Sequence, residues 1–324
     1  MAILETHNMD VGYGQGKKRT ALLSGLNLRL ELGAMVALLG KNGAGKSTLI
    51  KALTCDTQPV SGTIEINGKD STSISKRDIS RLIALVATER IMGGGFTIRE
   101  LVALGRQPHT GFLGRLSAHD NEVVDKCLNA VGIAHMANHH VASLSDGELQ
   151  KAMIAKALAQ ETPIIVLDEP TAFLDVASRI ETMRLLHNLA REQHKAVMLS
   201  SHDISQSLLL ADELWVITSD RNLVTGSTEQ VVMSGAMDKV FDNSSILFNG
   251  NLCDYEAQLP ILGTVRLECD SPTLKRCIVN ALLRNGISTD NDSDKVVRVH
   301  DIGHYGMPDG TTVTNIKDIS LLFK

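Results

Sequence analysis

The chain has 324 residues, 43% of them hydrophobic, with a formal net charge of −5 and 3% aromatic residues. That is enough apolar material for one large or two modest packed domains, while an acidic balance with few stacking rings argues against a nucleic-acid surface. Cys55, Cys127, Cys253, Cys269 and Cys277 are scattered without a C-x-x-C pair, as expected of reduced thiols; no apolar run nears the roughly 20 residues that cross a bilayer, and the N-terminus does not read as a signal peptide.

Leu26, Leu28 and Leu30 alternate with polar residues and predict a half-buried strand, as do Ile64 and Ile66 around Glu65. Met35–Leu39 is continuously apolar, the pattern of a parallel strand covered on both faces. Directly after it stand Gly40, Lys41, Asn42, Gly43, Ala44, Gly45, Lys46, Ser47 and Thr48, followed by the helix-compatible Leu49–Leu53. Strand, Gly-rich loop and helix in that order make a nucleotide-phosphate cradle, because backbone N–H groups converge on phosphate at the positive end of a helix. Lys46 supplies a point charge for the β- and γ-phosphates, and the Ser47 hydroxyl is a candidate Mg²⁺ ligand.

Ile83–Val86 predicts another strand. Gly93-Gly94-Gly95 reads as a hinge or a flexible surface loop. Thr97 to Glu100 has capping-box spacing, and Ser117 to Asp120 opens a second helix with an apolar face formed by Val123, Val124, Cys127, Leu128 and Val131. A helical insertion therefore interrupts the α/β core. His135, His139 and His140 have helical spacing, for which a solvated or capping role outweighs metal chelation.

Ser145, Asp146, Gly147 and Glu148 precede the helix Leu149–Gln160 and read either as a second anion site or as a capping box. Ile164–Leu167 is a buried strand ending in Asp168 and Glu169, where an α/β sheet presents ligands. Asp168 suits a Mg²⁺ shell, and Glu169 suits a base for water attacking the γ-phosphate. His202 follows the apolar strand Ala196–Leu199 and shares that edge, where an imidazole N–H can bridge phosphate and water. Leu214–Ile217 is a further central strand. Beyond about residue 230 the pattern predicts a small α+β unit: a strand at Thr264–Glu268, a helix at Pro272–Arg284, a polar turn over Ser288–Lys295, a strand at Val296–His300 and a short helix at Ile316–Phe323.

The ordered set of phosphate loop, helical insertion, Leu-Ser-x-Gly, Asp168-Glu169-Pro170-Thr171, Asp175 and Ser201-His202-Asp203 resembles the nucleotide-binding subunit of ATP-binding cassette transporters over roughly residues 1–230. The C-terminal unit at 231–324 lies outside the resemblance and holds no catalytic candidate, so it reads as a regulatory or dimer-supporting module or as an inert stabilising tail. The resemblance implies a P-loop NTPase core with an antiparallel β subdomain and an inserted helical subdomain at about 90–160. It implies ATP and Mg²⁺ as cofactors and a homodimer in which Ser145, Asp146, Gly147 and Glu148 serve the other chain's ATP. Asp175 then falls on the loop that communicates across the dimer, His202 on the γ-phosphate switch, and Tyr13 where a ring stacks on adenine. Gly105-Arg106-Gln107-Pro108-His109 resembles a stretch of importers for iron-siderophore complexes, haem or cobalamin. This further implies a two-chain membrane permease, an extracytoplasmic solute-binding protein, no nucleic acid, and a peripheral position on the cytoplasmic face of the membrane. Rival readings are a non-transport cassette ATPase and a nucleotide-sensing subunit with weak hydrolysis. Two departures stand out: Thr88 and Glu89 occupy the position where the family has glutamine, and Asp146 and Glu148 replace the second glycine and the glutamine of the signature.

Overall fold

The computed structural model describes residues 2–14, 20–87, 95–111, 114–241, 245–315 and 318–319. Thr88 and Glu89, two of the three consecutive glycines, and most of the helix expected at Ile316–Phe323 lie outside these residues. The chain divides into two compact units, Met1–Asp242 with Phe248–Asp254, and Asn243–Leu247 with Tyr255–Lys324.

In the first unit a six-stranded sheet runs in the order Leu223–Ser227, Glu213–Ile217, Met35–Gly40, Ala196–Ser200, Ile164–Leu167, Ile83–Val86. Every neighbouring pair is parallel except the first. The central runs are apolar at every position because alternate side chains enter two different cores. Val36, Leu38, Ile164, Val166, Ala196 and Met198 pack toward an antiparallel sheet. Met35, Ile165, Leu167, Val197 and Leu199 pack toward helices on the other side.

The antiparallel sheet is built on Ala2–Tyr13, flanked by Thr20–Leu26, Arg29–Glu31 and Ser61–Ile66. The single strand expected through Leu26–Leu30 is in fact two. At the break, Leu28 N–H donates to Thr6 Oγ1 at 2.8 Å and the Asn27 side chain accepts from Asn8 N–H at 2.9 Å, while Leu26, Leu28 and Leu30 stay buried. The helical insertion contains Ile98–Ala103, Ala118–Ala130 and Asp146–Ala159, each opened by a complete capping box at Thr97, Ser117 and Ser145. Val123, Val124, Cys127, Leu128 and Val131 form its buried face. A helix at Lys76–Leu82, which no strong periodicity announces, leads into Ile83–Val86.

The second unit has a five-stranded sheet in the order Ile287–Thr289, Gly263–Cys269, Val296–Asp301, His304–Gly306, Thr312–Val313. The helix Pro272–Arg284, with Ser271 as N-cap and a proline in its first turn, supplies Ile278 and Leu282 to a core with Val265, Leu267, Ile287, Val297 and Val299. The polar turn begins at Asp290 rather than Ser288, because Ile287–Thr289 pairs in parallel with Gly263–Val265 and Ile287 is buried.

Candidate active site

The loop from Gly40 to Gly45 leads from a central strand into the helix Lys46–Leu53. Gly45 has φ +116°, and a Cβ there would stand 2.8 Å from Leu22 Cδ2, so the turn requires glycine. The first N–H groups of this helix have no intrahelical acceptor and face the loop, the geometry that takes phosphate oxygens. Lys46 is 6% exposed and its Nζ donates to Gly40 O at 2.7 Å and Lys41 O at 3.4 Å. Burial lowers its pKa, while Glu169 and Asp168 pull it back up.

Four residues converge at the carboxyl edge of the sheet. His202 Nε2 lies 2.7 Å from Glu169 Oε1 and 3.5 Å from Lys46 Nζ. The shorter contact requires the Nε2 proton to be donated to the carboxylate, so the imidazole holds Glu169 in place and Lys46 is a neighbouring cation. Asp168 joins through a residue with no motif signal of its own: Ser200 Oγ donates to Asp168 Oδ1 at 2.6 Å and accepts from Glu169 N–H at 2.8 Å. Ser200 ends the strand Ala196–Ser200 and is fully buried, and only its place beside Ser201-His202 could have marked it. Glu169 has φ +50°, an uncommon conformation for a residue with a side chain, held here by this hydrogen bond and by Ala172 N–H on its carbonyl.

Ser145, Asp146, Gly147 and Glu148 form a second group at the start of the helix Asp146–Ala159. Glu148 Oε2 accepts from Ser145 N–H at 2.8 Å and Ser145 Oγ at 2.7 Å, completing the capping box. A Cβ on Gly147 would lie 2.7 Å from Ser178 Oγ, and Ser178 in turn donates to the Asp175 carboxylate from both N–H and Oγ. The Ser145–Glu148 segment and the Asp175 loop of one chain are therefore direct neighbours. Tyr13, at the end of its strand, is 62% exposed, a ring available for stacking. Ser47 and Thr48 sit in the first turn of the loop's helix, with Ser47 exposed.

Upstream of Ser145, His139 O accepts Ile98 N–H at 2.9 Å and His140 bridges Thr97, while His135 and His139 lie near enough to Glu148 to lower its pKa. Among the described residues, only Glu5, His7 and Glu65 gather with metal-ligand spacing. Glu5 is paired with Arg29 at 2.9 Å on the outer face of the antiparallel sheet, remote in sequence from the loop.

The chain that carries this phosphate cradle, carboxylate pair and histidine is similar to known proteins. The family profile described as ABC transporter matches residues 23–172. An uncharacterized ABC transporter ATP-binding protein of Methanocaldococcus jannaschii is 36% identical over 240 residues, 74% of this chain and 81% of that protein. The ferric enterobactin transport ATP-binding protein of Escherichia coli is 32% identical over 241 residues, 74% of this chain and 88% of that protein. The chain belongs to the ABC transporter ATP-binding proteins. Its fold is the ABC ATPase cassette. A metal-chelate-type ABC transporter solved in an inward-facing conformation aligns with TM-score 0.65 and 28% identity, covering 74% of this chain and 89% of that one. A dimeric bacterial ABC transporter cassette aligns with TM-score 0.60 and 25% identity, covering 69% and 98%. Within the ABC ATPases the chain binds and hydrolyses ATP, and among its described residues no helix is long and apolar enough to cross a membrane.

Proposed function

We propose that this cassette is the ATPase subunit of an importer for a metal chelate, an iron-siderophore complex, haem or cobalamin. The observation that carries the chemistry is the hydrogen bond from His202 to Glu169 at the mouth of the phosphate loop, with Lys46 as the adjacent cation. Lys46 counters charge on the β- and γ-phosphates. Glu169, fixed by His202, accepts a hydrogen bond from the attacking water and takes its proton as the bond from γ-phosphorus to the ADP oxygen breaks. Phosphate and ADP leave, and the proton on Glu169 returns to solvent.

Ser47 and Asp168 are oxygen donors of the kind Mg²⁺ takes, and their positions beside the loop suit the ion, which would neutralise phosphate charge when bound. Tyr13 stacks on adenine, and backbone from Gly40 to Thr48 cradles the phosphates. Thr88 or Glu89 takes the water or Mg²⁺ contact that glutamine makes in related cassettes.

Two such chains sandwich ATP, with Ser145, Asp146, Gly147 and Glu148 of one facing the phosphates held by the other, and Asp175 relaying between the sites. The dimer binds a two-chain permease at the cytoplasmic face of the membrane, and a solute-binding protein delivers the chelate from outside. The similarity to a ferric enterobactin subunit and to a metal-chelate-type transporter supports this cargo class. The first unit is the engine, with its boundary near residue 242 rather than the 230 expected from the sequence, and the second is a regulatory or dimer-supporting module.

Affinity purification of the tagged chain from membranes of its native host should recover a polytopic permease. In proteoliposomes, the ATPase of that complex should rise when a solute-binding protein carrying a ferric chelate or cobalamin is added. ATPase that is independent of any permease, with the chain held by ribosomes or DNA-repair factors instead, would refute the transport reading.

A further inference from the structure

The helix Asp146–Ala159 begins at Ser145, in the second anion site, and ends at Gln160. At that far end Gln160 Nε2 donates to Ile83 O at 3.0 Å and also to Ser80 O. Ile83 opens the edge strand Ile83–Val86, which pairs in register with Ile164–Leu167. At the other end of that ladder, Asp168 N–H donates to Val86 O at 2.9 Å. A helix of about 21 Å, at 1.5 Å per residue, thus runs from the signature segment to a hydrogen-bonded joint, and a short strand runs from the joint to the catalytic carboxylates.

The joint is closed from a second side by the Gly105–Thr110 segment. Gly105 lies so close to the helix that a Cβ there would be 2.1 Å from Lys156 O. His109 Nε2 is 2.9 Å from Gln160 O, and Arg106 Nη1 donates to Ala159 O at 2.7 Å. Arg77 and Arg81, one turn apart on Lys76–Leu82, reach across and donate to Pro108 O at 3.3 and 3.1 Å, while Arg77 Nη2 donates to Thr110 O at 2.8 Å. Both arginines lie on the surface, with 43% of the Arg81 side chain exposed. Their contacts are to backbone carbonyls of a segment that is otherwise held to the signature helix.

We propose that Gln160, Arg77 and Arg81 are positioning residues for ATP hydrolysis: they carry displacement of the Ser145 helix to the strand that aligns Asp168 and Glu169. Occupancy of the trans site on one chain then sets the geometry of that chain's own site. Packed rigid elements joined by directional hydrogen bonds are the physical means by which two sites can be coupled, and a misplacement on the order of 1 Å costs up to about 10²-fold in rate. This rests on the two-chain reading given under Proposed function.

The test compares Gln160→Ala, Arg77→Ala/Arg81→Ala and Arg77→Lys/Arg81→Lys with the unaltered full-length chain. The measurements are ATP binding by the single chain, kcat, KM, the Hill coefficient for ATP and the thermal midpoint. In both alanine variants kcat should fall about 10-fold or more and the Hill coefficient should drop toward one, with ATP binding and thermal midpoint unchanged. The double lysine variant should recover part of kcat, since each ammonium still donates to a carbonyl but without the fork of the guanidinium. A kcat within two-fold of the unaltered chain in both alanine variants, or a parallel fall in ATP binding and thermal midpoint, overturns the proposal. If the unaltered chain shows no hydrolysis, the ATPase reading itself fails, an outcome separate from failure of the joint.

Discussion

Glu148 shows how one side chain can serve two purposes at odds. As the third residue of its helix it closes a capping box, a stabilising contribution of about 1 kcal/mol. As a carboxylate beside Ser145 it takes the hydroxyl proton that an incoming phosphate would need, and Asp146 adds a second negative charge to the same turn. The Ser145 hydroxyl and N–H hold the Glu148 pKa below the usual carboxylate value, so it stays ionised at any physiological pH. Glu148→Gln keeps an acceptor for Ser145 N–H and removes one charge from the proposed anion site. ATP-driven association of two chains, measured by sedimentation, should tighten about two- to five-fold, as expected for one charge at a helix end. Weaker association would mean that the carboxylate itself contacts the nucleotide or a bound cation.

The helical insertion is held by a buried ion group as well as by its apolar face. Arg106, 2% exposed, donates to Asp120 Oδ1 at 2.8 Å and to Glu161 Oε2 at 2.6 Å. Removing it leaves Asp120 buried without its cation, so Arg106→Ala should cost about 3–5 kcal/mol in denaturant unfolding. Ser117 first, and then Arg106, hold the Asp120 carboxyl well below its ordinary value of 3.8. Because the folded value is the lower one, the stabilisation is complete above about pH 4 and is lost as pH falls below it. Unfolding midpoints between pH 5 and pH 2 should therefore fall less steeply for Asp120→Asn than for the unaltered chain. Equal slopes would show that Asp120 is not the group that titrates.

This element also marks how far the sequence could be read. The capping boxes at Thr97 and Ser145 were visible because their donors and acceptors lie three residues apart, while Ser117 was legible only as a helix start and its box with Asp120 came with the structure. The Gly105-Arg106-x-Pro-His stretch was visible as a family likeness, but not as a brace, because its partners Arg77, Arg81, Asp120 and Glu161 are distant in the chain. Ser200 was hidden for the same reason: its value comes from contacts with Asp168 and Glu169 on a neighbouring strand.

At the scale of the whole chain, the two units differ in how they were announced. The first carries its chemistry in contiguous motifs at strand ends and helix starts, so loop, carboxylates and histidine could be named before their distances were known. The second has a core of its own and an outer sheet face bearing Arg266, Glu268 and Arg298, with Arg298 Nε 2.8 Å from Glu268 Oε2. Its strands at Ile287–Thr289, His304–Gly306 and Thr312–Val313 are too short for periodicity to reveal. The curated relatives align with about three quarters of the chain, which leaves the rest without a counterpart in those alignments.

The central claim is a shared ATP site in which Glu169 supplies the base and Ser145 the partner's half. Glu169→Gln, followed by sedimentation with and without ATP, tests it most directly. This variant should bind ATP, hydrolyse it about 10²-fold more slowly, and accumulate as an ATP-dependent dimer that a second change, Ser145→Arg, abolishes. Turnover close to that of the unaltered chain, or a dimer that persists in the Glu169→Gln/Ser145→Arg chain, would contradict it.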